Sequence, residues 1–419
     1  MKPFAAFFLI AVLLSGCRKE EMLEDAPPLK IFRTYELMPV EIHQLDNEGY
    51  VMSCKRALGD PKASFIQFLD NKGDLGVRFD FSELPLRVEN ITFSQENVAI
   101  TGILPWNDGT YFLCGFARET TLDARLHALV YRIDGNGTVI GSPLRRFITN
   151  GSVLERKNDL NALYRTEVRA ARTSGGYLML AVRYENANEA ACRIIRLSPN
   201  GEDVSITYEH FLESRDHTMH GFGSRSNGEI WLATDGPFTG SFNSSLLIHL
   251  FTMTADQLQP GGLGSIDKKN ASITGFIDDG SQVKIMGNFD RSNNEPWSFI
   301  AVGATPFELT AHEIAGDAEA AQTLGAARSN GSSVLGITNI HEIRFLSLNE
   351  LRNDRVSTLR SMIFNDEGQV TEYRDLVKGQ GARALGVFGS SNGDVVIGVL
   401  HPFLNTDYQH TFFLVISEE

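Results

Sequence analysis

Seven times along the chain a glycine-centred turn is followed at once by an apolar strand, and no other feature restricts the fold as much. The phrases are NEGYVMSC at Gly49, NDGTYFLCG at Gly109, SGGYLMLA at Gly176, SNGEIWLA at Gly228, DDGSQVKIMG at Gly280, SNGSSVLG at Gly331 and SNGDVVIG at Gly393. These glycines stand 51–67 residues apart. Asn-Gly and Asp-Gly steps supply the positive φ that a tight hairpin turn requires. A period of this length marks a repeat architecture.

Upstream of several anchors lies a strand with small residues, as in HGFGSRSNG, TLGAARSNG and ALGVFGSSNG. Downstream lies a third strand closed by another turn, as in FIQFLDNKGD, LVYRIDGNGT, IIRLSPNGED and MIFNDEGQV. Each unit therefore reads strand, turn, strand, variable link, strand, turn, strand, which is one blade of a β-propeller. The expected fold is all-β: a propeller of seven four-stranded blades, with six or eight left open. The last unit ends at HTFFLVISEE without a fourth strand, and KIFRTYEL (30–37) precedes the first unit as a strand without a blade. Pairing the N-terminal strand into the last blade resolves both and removes exposed sheet edges. A β-sandwich would not repeat a four-strand phrase seven times, and β-helix coils are shorter. The long interval from Gly109 to Gly176 leaves room for an inserted helix at 152–165.

Five residues after the anchor stand Cys54, Cys114, Ala181, Ala233, Gly336 and Gly398; Ile285 breaks the series, and Met286-Gly287 suggests a register shift in the fifth unit. Small residues at one repeated place suit the crowding near a propeller axis. Cys54 and Cys114 then read as small buried apolar residues. With Cys192 they form an odd set behind Cys17, which allows one disulfide at most, and their spacing fits no zinc pattern.

Lys and Arg number 38 against 52 Asp and Glu, a net charge of −14 without a basic stripe, so nucleic acid is not an expected partner. In a blade, the first-to-second and third-to-fourth turns share one face, here made of short turns. The second-to-third links share the other face and vary in chemistry. Tyr184, Phe238, Phe242, Phe289, Trp297, Phe345, Phe403 and Tyr408 lie in or beside these links among Asn, Asp and Arg. Variable loops on a rigid scaffold are where recognition is usually built. Tyr184, Phe238, Phe242, Phe289, Trp297, Phe403 and Tyr408 are accordingly the candidate binding residues, with loop packing as the competing role for each.

Catalytic signatures do not survive inspection. Gly389-Ser390-Ser391-Asn392-Gly393 matches G-x-S-x-G, yet it occupies a hairpin turn rather than a strand-to-helix elbow. His312-Glu313 and His341-Glu342 lack the second histidine of a zincin helix. His217 and His220, with Asp216 nearby, could contribute to a metal site but read better as loop histidines. Asp70-Asn71-Lys72-Gly73-Asp74 and Asp134-Gly135-Asn136-Gly137 echo calcium loops without the distant glutamate. No cofactor or metal is expected. Paired carboxylates for glycoside cleavage stay open, since spacing in sequence does not reveal separation in space.

The N-terminus supplies an address. Lys2 and the uncharged run Phe4 to Leu14 have signal-peptide proportions, too short to span a bilayer. Leu14-Ser15-Gly16-Cys17 resembles the lipobox of bacterial lipoproteins, which implies cleavage before Cys17 and acylation of that residue. Arg18-Lys19-Glu20-Glu21, with Glu24 and Asp25, is similar to the surface-export signals of Bacteroidetes-type lipoproteins; periplasmic retention is the alternative. The division is then 1–16 signal peptide, 17–29 lipidated cysteine and tether, and 30–419 propeller.

Phrases such as GGYLMLA and IRLSPNG resemble those of β-propeller lipoproteins from Bacteroidetes-like bacteria. That resemblance implies a lipid-anchored outer-membrane protein acting as a non-enzymatic binding or scaffolding subunit, with a membrane β-barrel as partner. An extracellular glycan- or peptide-binding protein, or a glycan hydrolase or lyase working at the axial mouth, is the alternative.

Overall fold

The computed structural model describes residues 29–36, 38–45, 49–55, 65–106, 108–119, 125–149, 166–173, 175–185, 190–197, 203–212, 217–237, 244–253, 258–278, 280–291, 296–314, 320–329, 333–344, 354–379, 383–389, 395–402 and 410–417. The candidate helix at 152–165 and the segment 1–28 lie outside them. The described strands form seven four-stranded antiparallel sheets and one short ribbon, Arg87–Val88 with Ile91–Thr92. Six sheets take four strands in chain order. The fourth blade, for example, is Met219–Ser224, Ile230–Pro237, Ser244–Met253 and Leu258–Ile266.

The seventh sheet is completed from the other end of the chain. Arg383–Gly389, Val395–Pro402 and His410–Ser417 are joined by Leu29–Glu36, with Leu29 opposite Ser417 and Glu36 opposite Thr411. The innermost strands of consecutive blades touch in chain order, and that of the seventh, Arg383–Gly389, meets that of the first, Met38–Gln44. The chain is a β-propeller closed as its repeat predicts.

The first five blades are buried on both faces, which explains apolar runs where a one-sided sheet would alternate. In Tyr111–Arg118, Tyr111, Leu113 and Ala117 join the core against the first blade, while Phe112, Cys114 and Phe116 join the core against the third. In Leu178–Glu185 the same division sends Leu178, Leu180, Val182 and Tyr184 one way, and Met179 and Ala181 the other. Complete burial of one large side chain contributes about 1.5–3 kcal/mol, so these interblade layers hold the ring together. Cys54, Cys114 and Cys192 are buried within them. Burial, the largest cause, pushes the thiols of Cys54 and Cys192 up to about 12.

Crowding at the axis is met by glycines on the innermost strands. In six blades that strand carries a β-bulge, and Gly102, Gly221, Gly275, Gly325 and Gly386 end it in five. A Cβ on Gly275 would lie 2.7 Å from Cβ of Ala326 in the next blade, and one on Gly386 would lie 2.7 Å from Ile42 across the ring closure. Gly275 and its partner Met286 stand eleven positions apart where Gly221 and Ala233 stand twelve, so the fifth-blade hairpin is one residue shorter than that of the fourth. This is the register shift that Ile285 signals.

The turn face is committed to packing. Glycines 109, 176, 228 and 280 have positive φ, as do Gly73, Gly137 and Gly368 in third-to-fourth turns. Asp70 Oδ1 accepts the backbone N–H groups of Lys72 and Asp74, and Asp134 Oδ1 those of Asn136 and Thr138. These carboxylates thus close hairpins. Third-to-fourth turns also lean on the preceding blade: Gly137 abuts Phe79, Phe307 abuts Gly262, and Gly368 abuts Val302 and His312. Ionic ties cross the same face, Arg225 to Asp278 at 2.7 Å and Lys284 to Asp366 at 2.7 Å.

Candidate functional site on the loop face

Of the aromatic candidates, Phe238, Phe242, Phe345, Phe403 and Tyr408 lie outside the described residues, as does Cys17. Tyr184, Phe289 and Trp297 are described, and all three are buried, at 2%, 5% and 3% exposure. The expectation that these three rings are offered to a ligand is corrected accordingly: they pack the blades. Tyr184 sits in the core between the second and third blades and donates its hydroxyl hydrogen to Glu209. Phe289 and Trp297 are cross-strand partners inside the ladder, not parts of the link that joins their strands. Lys268 (4.8 Å from the Phe289 ring) and Arg291 (3.5 Å from the Trp297 ring) cover the pair. Both cations bind Glu313, at 2.7 and 3.2 Å, and the Lys268 hydrogen bond is the largest cause holding the Glu313 carboxyl below its ordinary range.

A polar junction lies where the loop-face ends of the third and fourth blades meet. It begins with a backbone irregularity. Met219 pairs with Thr234 and Gly221 with Ala233, which leaves His220 as the extra residue of the bulge. Its Nε2 lies 2.8 Å from Oδ1 of Asp235, on the adjacent strand. Oδ2 of Asp235 accepts from the Thr218 backbone N–H at 2.7 Å and from its hydroxyl at 3.1 Å. His220 therefore has a fixed carboxylate partner while part of its ring stays open to solvent.

The third blade supplies the other half. Arg183, 3% exposed, donates from Nε and a terminal nitrogen to the His217 carbonyl at 3.2 and 3.1 Å, with Glu185 3.7 Å away. A buried guanidinium is tolerated only when such partners replace water. Glu167 stands opposite Arg183 in the ladder and binds Arg169 at 2.6 Å. The junction thus presents a carboxylate-oriented imidazole, a hydroxyl and an ion pair, a set that can bind hydroxyl or carboxylate groups and can hold a proton at His220.

The sequence pattern coupled His217, His220 and Asp216; the structure instead joins His220 to Asp235, and Asp216 lies outside the described residues. Among the described residues, no three His, Cys, Asp or Glu side chains converge in a way that could hold a metal ion. His312-Glu313 and His341-Glu342 lie in strands. Asp235, Arg183, Glu167 and Arg169 were not anticipated. Their one signal is a charge interrupting an otherwise apolar strand, as in LAVRYE and LATDGP.

No protein-family model matches the chain, and no curated protein matches it. Solved structures resemble it at low identity. A glucose dehydrogenase is 12% identical, with 94% of this chain and 100% of that chain covered and a TM-score of 0.45. The polysaccharide lyase Uly1 is 10% identical, with 91% and 90% covered and a TM-score of 0.45. A DUF4221 family member from Bacteroides vulgatus is 10% identical, with 95% and 98% covered and a TM-score of 0.41. Likenesses this distant carry no inference about activity.

Proposed function

We propose that the protein is a binding subunit anchored in the outer membrane by acyl chains on Cys17, with its loop face turned toward an outer-membrane β-barrel partner at the cell surface. The observation that carries this reading is the division of labour between the two faces. Turns lean on neighbouring blades over one face, whereas the other carries a junction of paired charges. Charges held by neighbours are placed to recognise a partner without reorganising. The test is affinity capture of the C-terminally tagged full chain from native membranes in mild detergent, beside a Cys17→Ala variant and an Arg169→Glu variant. Stoichiometric recovery of one barrel protein, reduced by Arg169→Glu, supports the reading. Recovery unchanged by Arg169→Glu, or recovery of the lipoprotein alone, refutes it. Loss of radiolabelled palmitate in Cys17→Ala tests the anchor separately.

A second reading, a glycan hydrolase or lyase, is favoured by one observation: the partly exposed imidazole of His220 is oriented by Asp235. Asp-oriented histidines serve as general bases elsewhere. Glycan turnover abolished by Asp235→Asn and by His220→Gln would establish this activity; turnover indifferent to both would dismiss it.

A further inference from the structure

A concave feature lies away from the loop-face junction, at the outer rim between the second and third blades. It is a cleft of ≈ 400 Å³ lined by Glu89, Arg145, Arg146, Phe147, Arg193 and Ile195. Three arginines thus line a single hollow of a chain whose net charge is −14. We propose that this cleft is a binding site for an acidic sugar, a pyranose bearing a carboxylate, within an anionic glycan.

Two of the guanidinium groups, those of Arg145 and Arg193, are preorganised. Arg145 is held by Glu89 in front and by Nδ1 of His127 at 3.2 Å behind. His127, 1% exposed, lies 2.6 Å from Glu119 through its other ring nitrogen. Burial, the largest cause, depresses the basicity of His127, so a neutral ring accepting from Arg145 and donating to Glu119 satisfies both contacts. Arg193 crosses from the third blade to donate to the Ile148 carbonyl of the second, and binds Glu209 at 2.7 Å. Each of these guanidiniums has five N–H donors, and the two contacts named for each leave donors over. A planar fork matches a carboxylate through two parallel hydrogen bonds.

The remaining walls select a sugar over a simple anion. Phe147 is 42% exposed in an outermost strand, so a ring face is open to the C–H face of a pyranose. The Glu89 carboxylate, more than half exposed, sits beside the cations as an acceptor for hydroxyl hydrogens. Alternating acceptor and donors suit a molecule that offers both a carboxylate and hydroxyls. The volume lies in the range of small-ligand sites. An acidic peptide would instead call for cations repeated along a strand, whereas here Phe147 and Leu144 flank the two arginines of theirs.

The test uses the full chain in detergent micelles, titrated calorimetrically with trigalacturonate, with the neutral galactose trimer of the same linkage, and with an oligoglutamate peptide. Saturable binding of trigalacturonate alone is expected, weakened about tenfold or more by Arg146→Gln and by raised salt, since charge-assisted contacts carry it. Phe147→Ala removes an exposed ring and so leaves the fold intact while also weakening binding. Circular dichroism confirms folding of both variants. No saturable binding, equal affinity for the neutral trimer, preference for the peptide, or indifference to both substitutions would each overturn the proposal.

Discussion

Acid should loosen this propeller through one buried histidine. His249, in the third strand of the fourth blade, is 7% exposed, with Nε2 3.1 Å from the Thr234 hydroxyl and its ring centroid 4.3 Å from that of His210. Burial first, then the charge of His210, pushes its pKa from 6.5 down to about 4. Above pH 6.5 the ring is neutral in both folded and unfolded chains, and the fold has its full stability. As pH falls from 6.5 toward 4, the unfolded chain binds a proton that the folded chain refuses, so stability is lost across that window. Each tenfold difference in proton affinity is worth about 1.4 kcal/mol, so the loss reaches roughly 3 kcal/mol. Urea midpoints measured from pH 7 to pH 4 on the native chain and on His249→Gln check this. Glutamine keeps a polar atom near Thr234 but takes no proton. The variant should show a markedly shallower fall, with a residual slope from His127, whose basicity is also depressed. His210→Gln removes the neighbouring charge, brings the folded pKa of His249 closer to 6.5, and should make the fall smaller and end it at higher pH. Parallel curves for the native chain and His249→Gln would refute the reasoning.

Three further outcomes follow from the packing. Gly386→Ala places a Cβ 2.7 Å from Ile42 at the ring closure, whereas Gly135→Ala meets nothing within 4 Å. Thermal unfolding should show the first destabilised by about 1–3 kcal/mol and the second near neutral. Asp366→Asn leaves the ammonium of Lys284 (2% side-chain exposure) without its 2.7 Å partner, while Lys284→Met removes the charge itself. Denaturant midpoints should fall further for Asp366→Asn, by about 3 kcal/mol against about 1, because an unpaired buried charge costs more than a lost pair. The thiols of Cys54, Cys114 and Cys192 should resist alkylation at neutral pH in the folded chain and all react once denaturant is added; reaction of any of them in the folded chain would contradict their burial.

How much the sequence reveals depends on whether a property is local. The seven Gly-centred turns demand positive φ from particular residues, and that demand can be read from Asn-Gly and Asp-Gly steps alone. Strand order, closure by an N-terminal strand and the register shift of the fifth blade follow from the same count of phrases. The site was far less legible. Phe289 and Trp297 bracket a variable link in sequence, yet they face each other inside the ladder, because the strands extend further into the link than the phrase suggests. Asp216 is closer to His220 along the chain, but the hairpin brings Asp235 beside it.

Repetition, hairpin chemistry and two-sided hydrophobicity are encoded residue by residue, so the sequence by itself determined a closed propeller of six to eight blades with Cys54 and Cys114 buried, and the sheets of the folded chain fix the number at seven. Which charged groups meet was decided only in the tertiary structure. Arg183 reaches the His217 carbonyl, and Arg193 reaches Ile148, across the seam between separate sheets. Such contacts depend on the stagger and bulges of neighbouring blades, which place residues 34 and 45 positions apart within a hydrogen bond of each other.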